Sequence, residues 1–295
     1  ANGYQALDWN KANRRSTAIG TGAMFFADDR TSGRSTYNTA LGYEALRGSS
    51  NASANVGRFN TAIGDQALFS NTFGECNTAT GRNALYYSMT GFYNVALGEH
   101  ALFNNTSGSE NTAVGRMALF SNKANNRSTA IGTNAMYYTD DRSTGQGTYN
   151  TAIGYEALKG SSTPSNNTGQ YNLAVGDQAL YSNTSGYSNA AVGRSALYSN
   201  TLGSQNTANG ERALFSNTTG NNNTANGSNA LFSNKGNNRS TAYGKNAMQY
   251  ADDRIAGRET YNTSVGFEAL RGSFTPGSNT GQYNTAIGDQ ALLSN

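Results

Sequence analysis

A parallel β-solenoid is the fold class this sequence predicts, on three observations. A glycine-centred unit recurs sixteen times, at Gly3, Gly20, Gly42, Gly64, Gly81, Gly98, Gly115, Gly132, Gly154, Gly176, Gly193, Gly210, Gly227, Gly244, Gly266 and Gly288. Successive glycines stand 17 or 22 residues apart, and four short spacings with two long ones make a module of 112 residues that itself repeats. Within the aligned units some columns are nearly invariant, as stacked coils require when each repeat touches only its neighbours. The expectation is an all-β roll of 16 rungs of 17 or 22 residues, filling 1–295 as a single array.

Each part of a rung follows from its column. With the glycine as position 0, position −2 is Ala in fifteen rungs and Ser264 in the other, and position −4 is Asn in twelve of fifteen rungs and Ser in three. "NTAIG" therefore alternates polar and apolar faces as a short strand does. Like strands stacked about 4.8 Å apart turn every column into a ladder, and stacked Asn amides can bond each other and turn backbone that would otherwise be unpaired. The unvarying glycine marks a positive φ or a close backbone approach. Position +3 is Ala in all sixteen rungs, and +4 is Leu in thirteen and Met in three, namely Met24, Met136 and Met248. Two adjacent buried-looking residues break strand alternation, so "DQALF" and "YEALR" read as a second, kinked strand with a single helical turn as the rival. "NTTG" and "NTSG" read as turns.

"NTAIG", with "NTAVG" at Asn111–Gly115 and "STAIG" at Ser16–Gly20, resembles the SVAIG-type repeat in YadA-like heads of trimeric autotransporter adhesins. Similar arrays occur in phage tail fibres and large bacterial surface proteins. The resemblance implies a left-handed β-roll, three chains about one axis, and a role in attachment.

A physical argument also points to self-association, which the resemblance implies is a homotrimer. Ordering a residue costs about 1–2 kcal/mol of backbone entropy, and a rung rich in Ala and Gly offers few large apolar side chains at about 1.5–3 kcal/mol each. Burying a further face against sister chains would supply what is missing. Position −1, usually aliphatic, becomes Asn2, Asn209 and Asn226 in three rungs. These are oligomer-axis candidates: on an axis they form polar rings, whereas in a sealed interior each is a costly buried amide.

Composition excludes other classes. The chain is 36% hydrophobic, 11% aromatic and 13% charged, with net charge +3, too aromatic and too weakly charged for a disordered tail. Its Lys and Arg residues are scattered, so a pI near 8.9 gives no reason to expect nucleic acid. No apolar run is long enough for membrane insertion. The lone Cys76 excludes an intrachain disulfide. His100 in "GEHAL" becomes Arg212 one module later, and Cys76 becomes Ser188, so neither reads as catalytic. No enzyme and no cofactor are expected.

Interaction candidates lie on the paired 22-residue rungs, whose extra residues should bulge from neighbouring levels. The first of each pair carries Asp28, Asp29 and Arg30; Asp140, Asp141 and Arg142; or Asp252, Asp253 and Arg254. Paired carboxylates suit a hard cation, although a turn with a local ion pair accounts for them more simply. The second of each pair puts Arg47, Lys159 or Arg271 at +5, where short rungs carry an aromatic ladder including Phe69, Tyr86, Phe103, Phe120, Tyr181, Tyr198, Phe215 and Phe232. These basic residues and the three loop arginines are candidate partner contacts.

Thr at −3 resembles the flat array of an ice-binding solenoid, but Val95, Leu173 and Ala190 interrupt it. Asn105, Asn183 and Asn217 stand in Asn-x-Ser/Thr acceptor triplets. No atypical capping rung closes either end, so the chain is expected to be a segment of a longer extracellular, cell-surface or virion fibre, with lateral protrusions for attachment or bundling. The alternatives are an adhesin or tail fibre gripping a glycan or cell-surface receptor and, more remotely, a tailspike-type glycoside hydrolase.

Overall fold

The computed structural model describes residues 1–11, 14–27, 31–139 and 141–294. It forms two compact units, Ala1–Thr148 and Tyr149–Asn295. The first holds β1 (Thr17–Ile19), β2 (Thr39–Leu41), β3 (Thr61–Ile63), β4 (Thr78–Thr80), β5 (Val95–Leu97), β6 (Thr112–Val114) and β7 (Thr129–Ile131). The second holds β8 (Thr151–Ile153), β9 (Leu173–Val175), β10 (Ala190–Val192), β11 (Thr207–Asn209), β12 (Thr224–Asn226), β13 (Thr241–Tyr243), β14 (Thr263–Val265) and β15 (Thr285–Ile287).

Within each unit every strand pairs in parallel with the next one in sequence, so each unit is a parallel β-solenoid. No α-helix occurs among the described residues. Register follows the columns: Thr61 faces Thr78, Ala62 faces Ala79 and Ile63 faces Thr80. A bridge from Asn2 to Ile19 carries the same pairing into the first rung. The middle residue of each strand points into the coil; Ala62, Ala79, Ala96 and Ala113 are fully buried.

The arc after the glycine is neither a kinked strand nor a helical turn. In the rung starting at Gly64, the φ of Gln66 is 55° and that of Leu68 is 50°, and the same two positions repeat this in the other rungs. Such residues sit in the left-handed region, which costs an L-amino acid about 1–2 kcal/mol. Their reversal of chain direction turns adjacent side chains to one side, so Ala67 and Leu68 are both fully buried. Inter-rung bonds hold this backbone, with Gln66 N donating to Tyr43 O at 2.8 Å and Leu68 N to Ala84 O at 2.9 Å. The arc is thus part of the stacked structure rather than a loose connection.

Glycine at position 0 answers to two demands together. Gly98 has φ 136°, and a Cβ there would lie 2.7 Å from the carbonyl carbon and oxygen of Gly115 in the next rung. Positive φ and close backbone approach therefore coincide at one residue.

The most extensive polar element is the Asn ladder at −4. The Asn60 side chain accepts from Asn77 N, Asn77 from Asn94 N, and Asn94 from Asn111 N, at 2.9–3.0 Å. Each amide nitrogen also donates to a turn carbonyl of the next rung, as Asn60 does to Gly74 O, Asn77 to Gly91 O and Asn94 to Gly108 O at 2.8 Å. The second unit repeats this through Asn172, Asn189, Asn206 and Asn223. A second ladder at +7 links Asn122 to Asn105, Asn200 to Asn183 and Asn217 to Asn200, each at 2.8 Å. Asn105, Asn183 and Asn217 are therefore buried and bonded, so the folded chain does not present them as glycosylation acceptors.

Replacing Asn94 by Ala should strand Asn111 N–H inside the coil and leave the Gly108 carbonyl with Asn105 in place of two side-chain donors. Equilibrium urea unfolding is expected to show a loss of about 3 kcal/mol. Gly98→Ala, which meets backbone atoms, should lose more and yield little folded protein, read by circular dichroism.

Candidate functional site

The broad rungs are built by their own side chains. In the second of each pair a short 3-10 turn, Ala52–Ala54, Pro164–Asn166 or Pro276–Ser278, sits in a loop closed by one asparagine. Asn55, Asn167 and Asn279 accept from the backbone of Ser49, Ser161 and Ser273 at 2.9–3.0 Å. The loops reach solvent, with Phe274 74% and Ile255 66% exposed.

Of the acidic candidates, Asp28, Asp29 and Asp140, with Arg30, lie outside the described residues. Asp141 pairs with Lys123 at 3.6 Å and Asp253 with Lys235 at 3.5 Å. Asp252 is turned inward and held by Arg254 and by Arg258, the latter at 3.1 Å. Burial alone would push its carboxyl up, but the two guanidiniums outweigh it and hold it below the usual carboxylate range. The described carboxylates thus serve local cations, and no group of three or more His, Cys, Asp or Glu side chains gathers among the described residues. The tight ion pair of Arg254 leaves its head half exposed, and Arg142 is exposed on the equivalent loop.

The basic residues at +5 are tethered. Arg47 bonds Glu44 at 3.2 Å and covers Phe26 and Phe69 at 4.7 and 5.1 Å. Lys159 bonds Glu156 at 2.6 Å and lies 5.2 Å over Tyr181, while Arg271 bonds Glu268 at 3.0 Å and lies 5.2 Å over Phe274. Arg47 and Lys159 end the aromatic ladders, in which Phe69, Tyr86, Phe103, Phe120 and Tyr137 stack at 4.8–5.3 Å. Tyr181, Tyr198, Phe215 and Phe232 stack at 4.9–5.1 Å. These spacings match stacked strands, so the ladders are half-buried packing. Burial opposes the Lys159 ammonium, yet Glu156 and the Tyr181 hydroxyl raise its pKa overall.

Position −1 faces out of the coil. Ile19, Leu41, Ile63, Leu97 and Ile131 are 37–44% exposed in the first unit, and Ile153, Val192, Tyr243 and Val265 are similarly exposed in the second. Asn2 and Asn209 are exposed and Asn226 is partly so, which removes the sealed interior as their place. Neither position −1 nor −3 carries a charged residue in any strand.

Sequence reading missed a second set of rings, at position −5. Tyr37 stacks on Phe59, Tyr149 on Tyr171, and Tyr261 on Tyr283, each at 5.1 Å and each solvent-exposed. An open cavity of about 270 Å³ lies against Tyr171 and Tyr187. The available signal was "TGQYN", present at Thr168–Asn172 and again at Thr280–Asn284. Two smaller cavities of about 30 Å³, the size of a water site, lie inside the broad rungs beside Met24 and Met248. No family model matches the chain, and a search of curated proteins found no match.

The shifted groups set a pH profile. Burial lowers the His100 pKa below its ordinary 6.5, so its contribution is present above about pH 6.5 and is lost as pH falls towards the folded value. For Glu156, Glu268 and Asp252, burial opposes ionisation but ion pairs and hydrogen bonds prevail and lower the pKa; their stabilisation is lost as pH falls below the ordinary carboxylate values of 4.5 for the two glutamates and 3.8 for Asp252. Lys159, raised, loses its contribution only above the ordinary Lys range. Circular-dichroism melts should therefore show a plateau above neutral pH, a small acid step and a larger one below it. His100→Arg, the residue found one module later, should remove the first step alone.

Proposed function

We propose that this chain is a structural solenoid that associates with copies of itself, as a homotrimer, through the outward face of its strands to build an extracellular fibre. The observation that carries this reading is the exposed aliphatic stripe at −1, flanked by uncharged residues at −3. Exposed aliphatic side chains recurring along one column suit an interaction face. Its regularity selects the occupant. A partner seated along many rungs must share their order of 17- and 22-residue levels, and a second copy of the chain has it by construction. The resemblance to YadA-like heads supports three copies and a left-handed coil.

In such an assembly Asn209 and Asn226, adjacent in register, meet their counterparts across the interface and bond as amides. The broad-rung loops reach solvent and remain available for attachment or lateral bundling. Stiffness rather than catalysis is the working property, since every rung repeats the same bonds.

Sedimentation equilibrium should give about three times the chain mass of 31.1 kDa. Ile63→Asp with Ile131→Asp should yield a folded monomer. Asn209→Ile with Asn226→Ile should change melting and oligomer mass together. A chain that is monomeric throughout and insensitive to these substitutions would overturn the proposal.

A further inference from the structure

The cavity at Tyr171 and Tyr187 has the chemistry of a small-ligand site, and it is independent of the self-association face. Thr168, Gln170, Tyr171, Ser185 and Tyr187 line its volume of about 270 Å³. Tyr171 is 56% and Tyr187 50% exposed. One face of Tyr171 is covered by Tyr149, stacked at 5.1 Å and only 5° from parallel. In the next rung the column continues with Ser188, whose N–H donates to Gln170 O at 3.0 Å. A serine in place of a ring leaves the other face of Tyr171 uncovered. The stack therefore stops one ring short, with room above Ser188.

The first module supplies an internal comparison, because the same positions 112 residues earlier hold Val56, Arg58, Phe59, Phe73 and Glu75. There Arg58 bonds Glu75 across the rungs at 3.0 Å and lies 5.8 Å over the Phe59 ring. An ion pair thus spans the place where the second module is open. Exchanging it for Gln170 and Tyr187 removes both charges and supplies an amide and a second ring.

We propose that this cavity binds a neutral saccharide. A sugar ring has an apolar face of C–H groups that suits a tyrosine ring, and hydroxyls at its edge that suit the Gln170 amide and the Thr168 and Ser185 hydroxyls. Two tyrosine rings beside three uncharged polar side chains suit such a ligand, and the volume accommodates one or two sugar rings. No charged side chain lines the cavity, so an acidic ligand gains nothing there. Thr280, Gln282 and Tyr283 repeat the first half of the site in the third module.

The test uses the full chain carrying Tyr283→Ala, so that the related segment does not contribute. Maltohexaose, cellohexaose, laminarihexaose and mannohexaose are titrated calorimetrically, with hexagalacturonate as an acidic comparison. At least one neutral hexasaccharide should bind, and Tyr171→Ala or Tyr187→Ala should weaken it about tenfold or more. Gln170→Arg with Tyr187→Glu reproduces a pair the solenoid already accommodates in its first module. This variant should melt like its parent and lose the binding. The proposal is overturned if no neutral probe binds, if these variants bind as well as the parent, or if only hexagalacturonate binds.

Discussion

The structure depends on an asparagine side chain that does the work of backbone. At −4 each amide accepts from the backbone of the same position one rung on and donates to a turn carbonyl there, so one side chain completes two bonds that a tight corner leaves open. Both groups are buried, and leaving either unpaired would cost about 1–3 kcal/mol. The amide must therefore point inward at a constant height in each of the rungs that carry Asn there, the ladder ending on Ser128 and Ser240. That requirement keeps the strands in register, even where a 17-residue rung follows a 22-residue one: the ladder passes from Asn38 to Asn60 as it does from Asn60 to Asn77.

With its corner held this way, the coil needs only a thin core. Alanines at −2 and +3 and leucine or methionine at +4 fill it. The left-handed residues at +2 and +4 are what allow two neighbours to face inward. Their conformational cost is offset because the arc's backbone bonds run to adjacent rungs instead of to water. Insertions are tolerated in the broad rungs because they leave this frame unchanged. The second of each pair carries its own closing asparagine and its own ion pair, Glu44–Arg47, Glu156–Lys159 or Glu268–Arg271.

Function then falls to what repetition does not use internally. The outward strand face is uncharged and partly apolar, and the rings at −5 stand in solvent. The interior constrains neither, so one module can replace an ion pair with a glutamine and a tyrosine without disturbing the ladders. Conservation of the frame and variation at its surface are consequences of the same stacking.

The solenoid, its rung lengths, the buried alanines and the inward asparagines were legible in the sequence, because a stacked column repeats the same local energy in every rung and must choose the same residue. The glycine's two demands were legible for the same reason. Three things were not. The arc's left-handed backbone was hidden because Gln, Asn, Glu, Ser and Leu are ordinary residues there, and only inter-rung bonding makes positive φ affordable. The seating of Arg47 over Phe69 and of Lys159 over Tyr181 depended on rings one rung away. The open face of Tyr171 depended on which residue lies above it, 17 positions on, where Ser188 takes the place of a ring. Sequence by itself determined the ladder each residue belongs to; tertiary structure decided what each ladder faces, because direction is set by φ and by neighbouring rungs rather than by residue type.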